Sequence, residues 1–428
     1  VLAVLVLAYA FAIIDRVSIG LLVQPIEASL GISDSQMGLL QGFAFGIFYS
    51  VMGIPIGFLV DRLQRRGIIA IGIALWSLAT VTCGLARGFG GLFAARIGVG
   101  VGEATISPGA ASMIADYFPP DARPRAFGIF LVGTTLGSGM AFLLTGAAIG
   151  AAQGLRVASP GLFGPFATWQ IVFFMMGAPG LLVAILLMLT VKEPARRERF
   201  LPRAGFSVRP VMALLVQNGR AYFVLIVGPV LNLAAIYAQL AWFPTIFIRV
   251  HGWTMAEIGT ALGIVGLAMG TFSSVSSGWF TTWLARGGRP DAPLLVTLCH
   301  SLLLAVFGTA ACLVESPAVS LACYVAMGIG ANWTYASALT GINQITPNEM
   351  RGQMVSLYTL TVGLVSVGAG VYAVGFLNDA VYGGGKGVAP ALATVYAICG
   401  LTSAAVLIWG RAPFRAAAAR AKAWAEPA

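Results

Sequence analysis

Residues 89–120 read FGGLFAARIGVGVGEATISPGAASMIADYFPP. The run is long and apolar enough to span a bilayer, yet it carries Arg96 and Glu103 well inside its length. Seven residues are nearly two helical turns, so both side chains share one face, about 10 Å apart along the axis. A charge at the centre of a bilayer costs about 2.5–3.5 kcal/mol on insertion scales, so such groups face a bundle interior or a wet cavity. Glycines at 98, 100 and 102 let a neighbouring backbone approach closely, and Pro108 predicts a bend below the charged pair.

The rest of the composition agrees with a membrane setting. The 428 residues are 58% hydrophobic and 9% charged, with a mean hydropathy of +0.90. The formal charge of +10 does not indicate nucleic acid, because the basic residues sit between apolar spans and not on one soluble surface. The sequence opens at Val1 inside an apolar run, read as a first transmembrane helix lacking its cytoplasmic tail and not as a signal peptide. Five scattered cysteines without CxxC spacing read as free core thiols.

Apolar stretches recur twelve times, near 1–29, 36–60, 67–86, 89–117, 124–152, 168–191, 220–249, 254–285, 291–314, 317–345, 350–379 and 388–410. The expected organisation is an N-terminal six-helix bundle over 1–191, a cytoplasmic linker over 192–219, a C-terminal six-helix bundle over 220–411 and a cytoplasmic tail over 412–428. Residues 208–217 are read either as a short surface helix or as the frayed start of the seventh span. Of the 25 lysines and arginines, 18 lie on the face that holds the linker and tail, four on the opposite face, and three within or at the ends of spans. The positive-inside rule then places both termini in the cytoplasm. The expected fold is all-α, an integral membrane protein of twelve transmembrane helices in two pseudo-symmetric bundles.

The halves echo each other. Pro119-Pro120-Asp121-Ala122-Arg123 follows the fourth span and Pro347-Asn348-Glu349-Met350-Arg351 the tenth. Gly57-Phe-Leu-Val-Asp61-Arg62-Leu-Gln-Arg65-Arg66 follows the second span, whereas the eighth ends Gly278-Trp-Phe-Thr-Thr282-Trp-Leu-Ala-Arg286, without the carboxylate. Such internal symmetry is expected of a transporter built from repeats.

Twelve spans in two sets of six, with Gly-x3-Asp-Arg-x2-Arg-Arg between the second and third, resemble the major facilitator superfamily; Gln64 stands where that motif usually has Gly. Arg96-x3-Gly100 is similar to the family's second signature, whose arginine is associated with proton coupling. Gly133-x3-Gly137-Ser138-Gly139 partly matches its antiporter signature, without the usual Gly-Pro. Asp15-Arg16-Val-Ser-Ile-Gly, Gly98-Val-Gly-Val-Gly-Glu103-Ala, Ser107-Pro108 and Ile114-Ala-Asp116-Tyr-Phe118-Pro119 together resemble the spinster branch, as a bacterial-type member. That resemblance implies a bacterial inner (plasma) membrane protein. It also implies substrates of the lysophospholipid or sphingosine-1-phosphate class, amphipaths with an anionic or zwitterionic head.

Asp15 and Glu103 are the carboxylates deep in spans, and each has an arginine on its own helix. A desolvated carboxylate takes a proton more readily and a nearby guanidinium opposes this, so an arginine that moves between conformations changes proton affinity. Glu103, Asp15 and Arg96 are therefore the proton-coupling candidates, against the alternative of a permanent salt bridge between the first and fourth spans. Arg16 points about 100° away from Asp15. It either anchors a phosphate or carboxylate head group or neutralises Glu103.

In the second half the resemblance places Asn232, Tyr237, Gln239, Asn332, Trp333 and Tyr335 around a central cavity as substrate-binding candidates; interhelical hydrogen bonding is the plainer alternative. It also implies a conformational latch in which Asp61 meets the start of the eleventh span near Met350–Gln353, with Arg62, Arg65, Arg66, Arg123 and Arg125 around it. Gly98-x-Gly100-x-Gly102 is no nucleotide fingerprint, because no strand precedes it. His251 in an outer loop and His300 in a peripheral ninth span predict no metal site.

The function expected is a proton-coupled secondary transporter of an amphipathic, lipid-like substrate, working by rocker-switch alternating access. Its expected partners are that small substrate, protons and the lipid bilayer, with no nucleic acid and no obligatory protein partner. It needs no cofactor, the proton gradient being the energy source. A broad-specificity drug/proton antiporter of the same fold is the alternative. An intramembrane lipid-acting enzyme is a remote one, since the two histidines stand far from Asp15 and Glu103.

Overall fold

The computed structural model describes residues 1–119, 121–196 and 209–422, and among these every regular element is helical. Ten helices are long and apolar enough to cross a membrane. They are α1 (Leu2–Leu21), α2 (Asp34–Arg62), α3 (Arg65–Cys83), α5 (Arg125–Ala158), α6 (Thr168–Thr190), α7 (Gly219–Arg249), α8 (Met255–Arg286), α9 (Ala292–Leu313), α11 (Met350–Ala380) and α12 (Gly385–Trp409). The two remaining expected spans are each broken. α4 consists of Phe89–Glu103 and Ile106–Tyr117, and α10 of Pro317–Gly328 and Trp333–Ile345.

The α4 break has a local cause. A proline ring clashes with the carbonyl four residues back and supplies no N–H to it; for Pro108 that carbonyl belongs to Ala104, one residue beyond Glu103. The bend expected from Pro108 is thus a full interruption at Ala104–Thr105, where Thr105 turns its hydroxyl back to the Gly102 carbonyl at 2.8 Å. In α10 side chains from α8 hold the break. Ser273 Oγ accepts from the Asn332 backbone N–H at 2.8 Å, and the Asn332 amide donates to the Gly270 carbonyl at 3.2 Å and to Ser274 Oγ at 2.9 Å.

Residue contacts divide the chain into two units. The first comprises the described residues of 1–198, 240–268 and 371–388, and the second those of 199–239, 269–370 and 389–428. In the first, two glycines seat the charged α4 between its neighbours. A Cβ on Gly100 would lie 2.7 Å from the Phe45 carbonyl of α2, and one on Gly102 would lie 2.6 Å from the Trp76 nitrogen and 2.8 Å from the Gly72 carbonyl of α3. Both obstacles are backbone and cannot swing aside. Gly102→Ala is expected to cost about 1–3 kcal/mol, as overpacking generally does, and to lower the thermal midpoint of the purified protein, whereas an unchanged midpoint would show that α4 has slack.

Past α6 the chain is tied back onto the start of α3. Arg65, almost fully buried, pairs with Asp116 and, at 2.8 Å, with Glu193, while its Nη2 donates to the Pro194 carbonyl at 2.8 Å. The second unit repeats this tie with its signs exchanged. There the buried group at the start of α9 is Asp291, and the segment after α12 supplies Arg411 at 2.8 Å and Arg415 at 2.9 Å. That segment forms an unexpected helix, Arg411–Lys422, over part of the tail read from sequence. Of the two readings of residues 208–217, a short helix and a frayed start of α7, the short helix is the one that forms, at Arg209–Gln217.

Burial pushes the Glu193 carboxyl up, but the Arg66 N–H and the Arg65 guanidinium outweigh this and hold it below the usual glutamate range. A depressed carboxyl contributes stability that is present above its unfolded value, about 4.3, and lost as pH falls through the folded value. The Arg66 backbone N–H, which donates to Glu193 Oε2 at 2.8 Å, should therefore keep its hydrogen-exchange protection at neutral pH and lose it below about pH 4. Glu193→Gln should remove the pH dependence; a wild-type amide equally protected at both pH values would contradict the tie.

Candidate functional site

The first unit brings Asp15, Arg16, Arg96 and Glu103 together. Asp15, Arg96 and Glu103 are only 2%, 1% and 0% exposed, and the Arg16 side chain 13%. Arg16 grips one oxygen of Glu103, with Nη2 at 2.6 Å and Nε at 3.2 Å from Oε2. Sequence reasoning left Arg16 either on Glu103 or on a head group; in this structure it is on Glu103. Glu103 Oε1 has no hydrogen-bond partner. Asp15 accepts from Thr80 Oγ1 of α3 at 3.3 Å through Oδ2, and its Oδ1 has no partner.

Arg96 is the least satisfied of the four. Its Nε and Nη2 are buried and make no hydrogen bond, although it lies in the electrostatic field of Asp15 and Glu103. What accompanies it is a ring: the Arg96 guanidinium carbon is 5.6 Å from the centroid of Phe45, and that of Arg16 is 4.4 Å from the same ring and 4.8 Å from Tyr49. Aromatic faces attract guanidinium groups, more strongly where water is excluded. Phe45 therefore holds both arginines beside the carboxylates without neutralising either. Sequence reasoning missed Phe45, Tyr49 and Thr80. The aromatic pair is spaced i, i+4 on α2, a pattern that packing alone also produces.

In the second unit, Asn232 is fully buried, and its amide donates to Ser301 Oγ at 2.9 Å and to the Thr297 carbonyl at 3.3 Å. Gln239 is hydrogen-bonded to Tyr324, and Trp333 Nε1 donates to Ser276 Oγ at 2.9 Å. Asn332 is engaged at the α10 break. Tyr335 is exposed, with its ring 5.9 Å from that of buried Tyr358, which also lies in the field of Tyr237. Tyr358 was not singled out from the sequence. His300 is almost fully buried, with its Nδ1 2.7 Å from Thr334 Oγ1. Among the described residues no group of three His, Cys, Asp or Glu side chains is placed to hold a metal.

Of the expected latch residues, Arg65 and Arg66 are engaged within the first unit, Arg66 also donating to the Val191 carbonyl at 3.2 Å. Arg123 donates to the Phe118 carbonyl at 3.1 Å, and Asp61, Arg62 and Arg125 are exposed. A second charged cluster in the same unit was not anticipated. Arg249 at the end of α7 pairs with Glu27 and, at 2.9 Å, with Asp34; the Asn378 amide of α11 donates to the same Asp34 oxygen at 2.6 Å. Asp379 accepts from the Ser35 N–H at 2.7 Å. One guanidinium thus serves two carboxylates at the junction of the α1–α2 turn with α7 and α11.

Comparison with known proteins gives this arrangement a context. Residues 5–370 match the Major Facilitator Superfamily. The chain belongs to that family. This major facilitator transporter is a multi-pass membrane protein whose twelve spans form two six-helix halves. It is 26% identical over 384 residues to an MFS-type efflux pump of Mycolicibacterium smegmatis, covering 88% of this chain and 83% of that protein. It is 32% identical over 247 residues to spinster homolog 1 of Xenopus laevis, covering 55% of this chain and 43% of that protein. Among solved structures it is similar to a bacterial homologue of the human lysosomal transporter spinster in an inward-facing, unoccupied conformation. There the TM-score is 0.76 at 27% identity, over 98% of this chain and 96% of that one. The transporter is spinster-like in both sequence and structure.

Proposed function

We propose that this transporter couples movement of an amphipathic, lipid-like substrate with an anionic or zwitterionic head, of the lysophospholipid or sphingoid phosphate class, to protons by alternating access. The setting proposed is the bacterial inner membrane with both termini cytoplasmic, as the distribution of arginine and lysine favours. The observation that carries the reading is the Arg16–Glu103 pair, buried beside Arg96 and Asp15. A fork-shaped guanidinium suits phosphate as well as carboxylate. When a substrate head group draws Arg16 away, Glu103 is left without the partner that sustains its charge and takes up a proton. When the proton leaves, Glu103 reclaims the arginine. Head group and proton are thereby linked through one side chain, with Phe45 and Tyr49 supporting Arg16 during the exchange. Likeness to the spinster proteins supports the substrate class.

The test is uptake of a labelled lysophospholipid into proteoliposomes with and without an imposed pH gradient. Uptake accelerated by the gradient supports the reading; uptake indifferent to it makes the protein a facilitator. A second reading, a broad-specificity drug/proton antiporter, is favoured by the mycobacterial relative, which is matched over most of both chains. Gradient-driven movement of cationic dyes, with no movement of lysophospholipid, would select it.

A further inference from the structure

The second unit carries a basic and apolar edge that the transport reading does not use. The short helix Arg209–Gln217 and the helix Arg411–Lys422 both turn apolar residues, Val211 and Leu214 from the one and Phe414, Ala417 and Ala418 from the other, into one hydrophobic cluster of the second unit. Their outer faces are of two kinds. Met212 and Val216, one turn apart, are 52% and 82% exposed. Arg220, Arg411, Arg415 and Arg420 are the cations of the same edge, Arg415 being 47% exposed and Arg420 donating to Asn218 Oδ1 at 2.6 Å to bridge the two helices.

Two half-exposed aromatic residues border the edge. Phe223, at the start of α7, and Trp409, at the end of α12, are both half exposed and meet edge to face with centroids 6.3 Å apart. Aromatic side chains of this kind mark the boundary between hydrocarbon and head groups. Asp291 anchors Arg411 and Arg415 from below but is itself fully buried, so it fixes their position while presenting no negative charge to the outside. Amphipathic helices with apolar residues on one side and arginines on the other lie in the bilayer interface, and basic clusters beside a span attract anionic lipid.

We propose that this edge is a docking surface for anionic phospholipid head groups of the surrounding bilayer. Met212 and Val216 dip into the acyl boundary, and Arg220, Arg415 and Arg420 meet the phosphates. The choice of occupant rests on charge: among the described residues of the edge, four arginines with an inward-facing Asp291 as their carboxylate complement a surface of phosphates, and Phe223 and Trp409 are aromatic residues of the kind found at the same boundary.

The test uses the full chain in neutral detergent, titrated with dioleoyl phosphatidylglycerol or with dioleoyl phosphatidylcholine and read by native mass spectrometry. Wild type should bind phosphatidylglycerol in preference, and the preference should fade at high salt. Arg415→Gln with Arg420→Gln should weaken phosphatidylglycerol binding roughly 30-fold, at one arginine–lipid contact each. Arg415→Lys with Arg420→Lys should keep most of it; should the glutamine pair fail to fold, the lysine pair and the wild-type salt series still decide. Equal binding of both lipids, a salt-independent preference or an unaffected glutamine variant would overturn the proposal. So would a doubled mass without lipid that the glutamine variant abolishes, since a second copy of the chain would then be the occupant.

Discussion

Glu103→Gln is expected to leave a folded transporter that no longer responds to a pH gradient. One proton moving down one pH unit supplies about 1.4 kcal/mol, so at one proton per cycle wild type should accumulate substrate about tenfold, and the variant should reach no accumulation at all. The amide fills the same space and still accepts a hydrogen bond from Arg16, so downhill exchange across the membrane should persist. What it cannot do is gain or lose the proton that, on the proposed reading, decides where Arg16 binds. Asp15→Asn separates the two carboxylates. Asp15 is held by Thr80 and not by an arginine, so its replacement should change the pH at which transport is half maximal while retaining a gradient response. Should Glu103→Gln still accumulate substrate and Asp15→Asn not, the proton site would be Asp15 and the Arg16–Glu103 pair a fixed strut.

Why the sequence disclosed one charged cluster and hid the other follows from where their partners lie. Arg96 and Glu103 sit on one helix, and a charge inside an apolar run is conspicuous because the surrounding residues leave it nowhere to go. Hydrophobic runs placed the spans for the same local reason, and Pro108 marked the interruption in α4. The Arg249 cluster draws on partners 215 and 222 residues away. Each of its members looks from the sequence like an ordinary charge at the end of a span, and only folding shows that one arginine serves two acids. The Arg65 and Asp291 ties were concealed differently. The carboxylate missing at Thr282 stands opposite Asp61 and not opposite Arg65, so the motif's echo does not point to these ties. They resemble each other only with the charges exchanged, a base at the start of α3 and an acid before α9, so no shared residue type marks them. Phe45 was hidden because an aromatic residue in a membrane helix needs no function to explain it.

Arg249→Ala should be the most destabilising of the substitutions considered. It removes the guanidinium that, among the described residues, pairs with both Glu27 and Asp34, and leaves these two largely buried carboxyl groups with each other and with the Asn378 amide on Asp34. Removing one partner of a buried ion pair costs about 3–5 kcal/mol, chiefly because the survivor keeps its charge without compensation. Partial exposure of the three side chains puts the expected loss near the lower end of that range, visible as a drop in the thermal midpoint. The loss has a specific cure. If uncompensated charge is its source, adding Glu27→Gln to Arg249→Ala should restore part of the stability, although it deletes another member of the cluster; the two substitutions should be strongly non-additive. A double variant less stable than Arg249→Ala alone would mean that the arginine acts through packing of its stem. The cluster also joins the α1–α2 turn to the ends of α7 and α11, so an unequal hold on this junction in different conformations would bias the alternating access proposed above. Arg249→Ala should then raise the rate at which the junction opens, measurable as faster hydrogen exchange of the Ser35 amide that now donates to Asp379, while Arg87→Ala, at an exposed position outside the cluster, leaves that exchange unchanged.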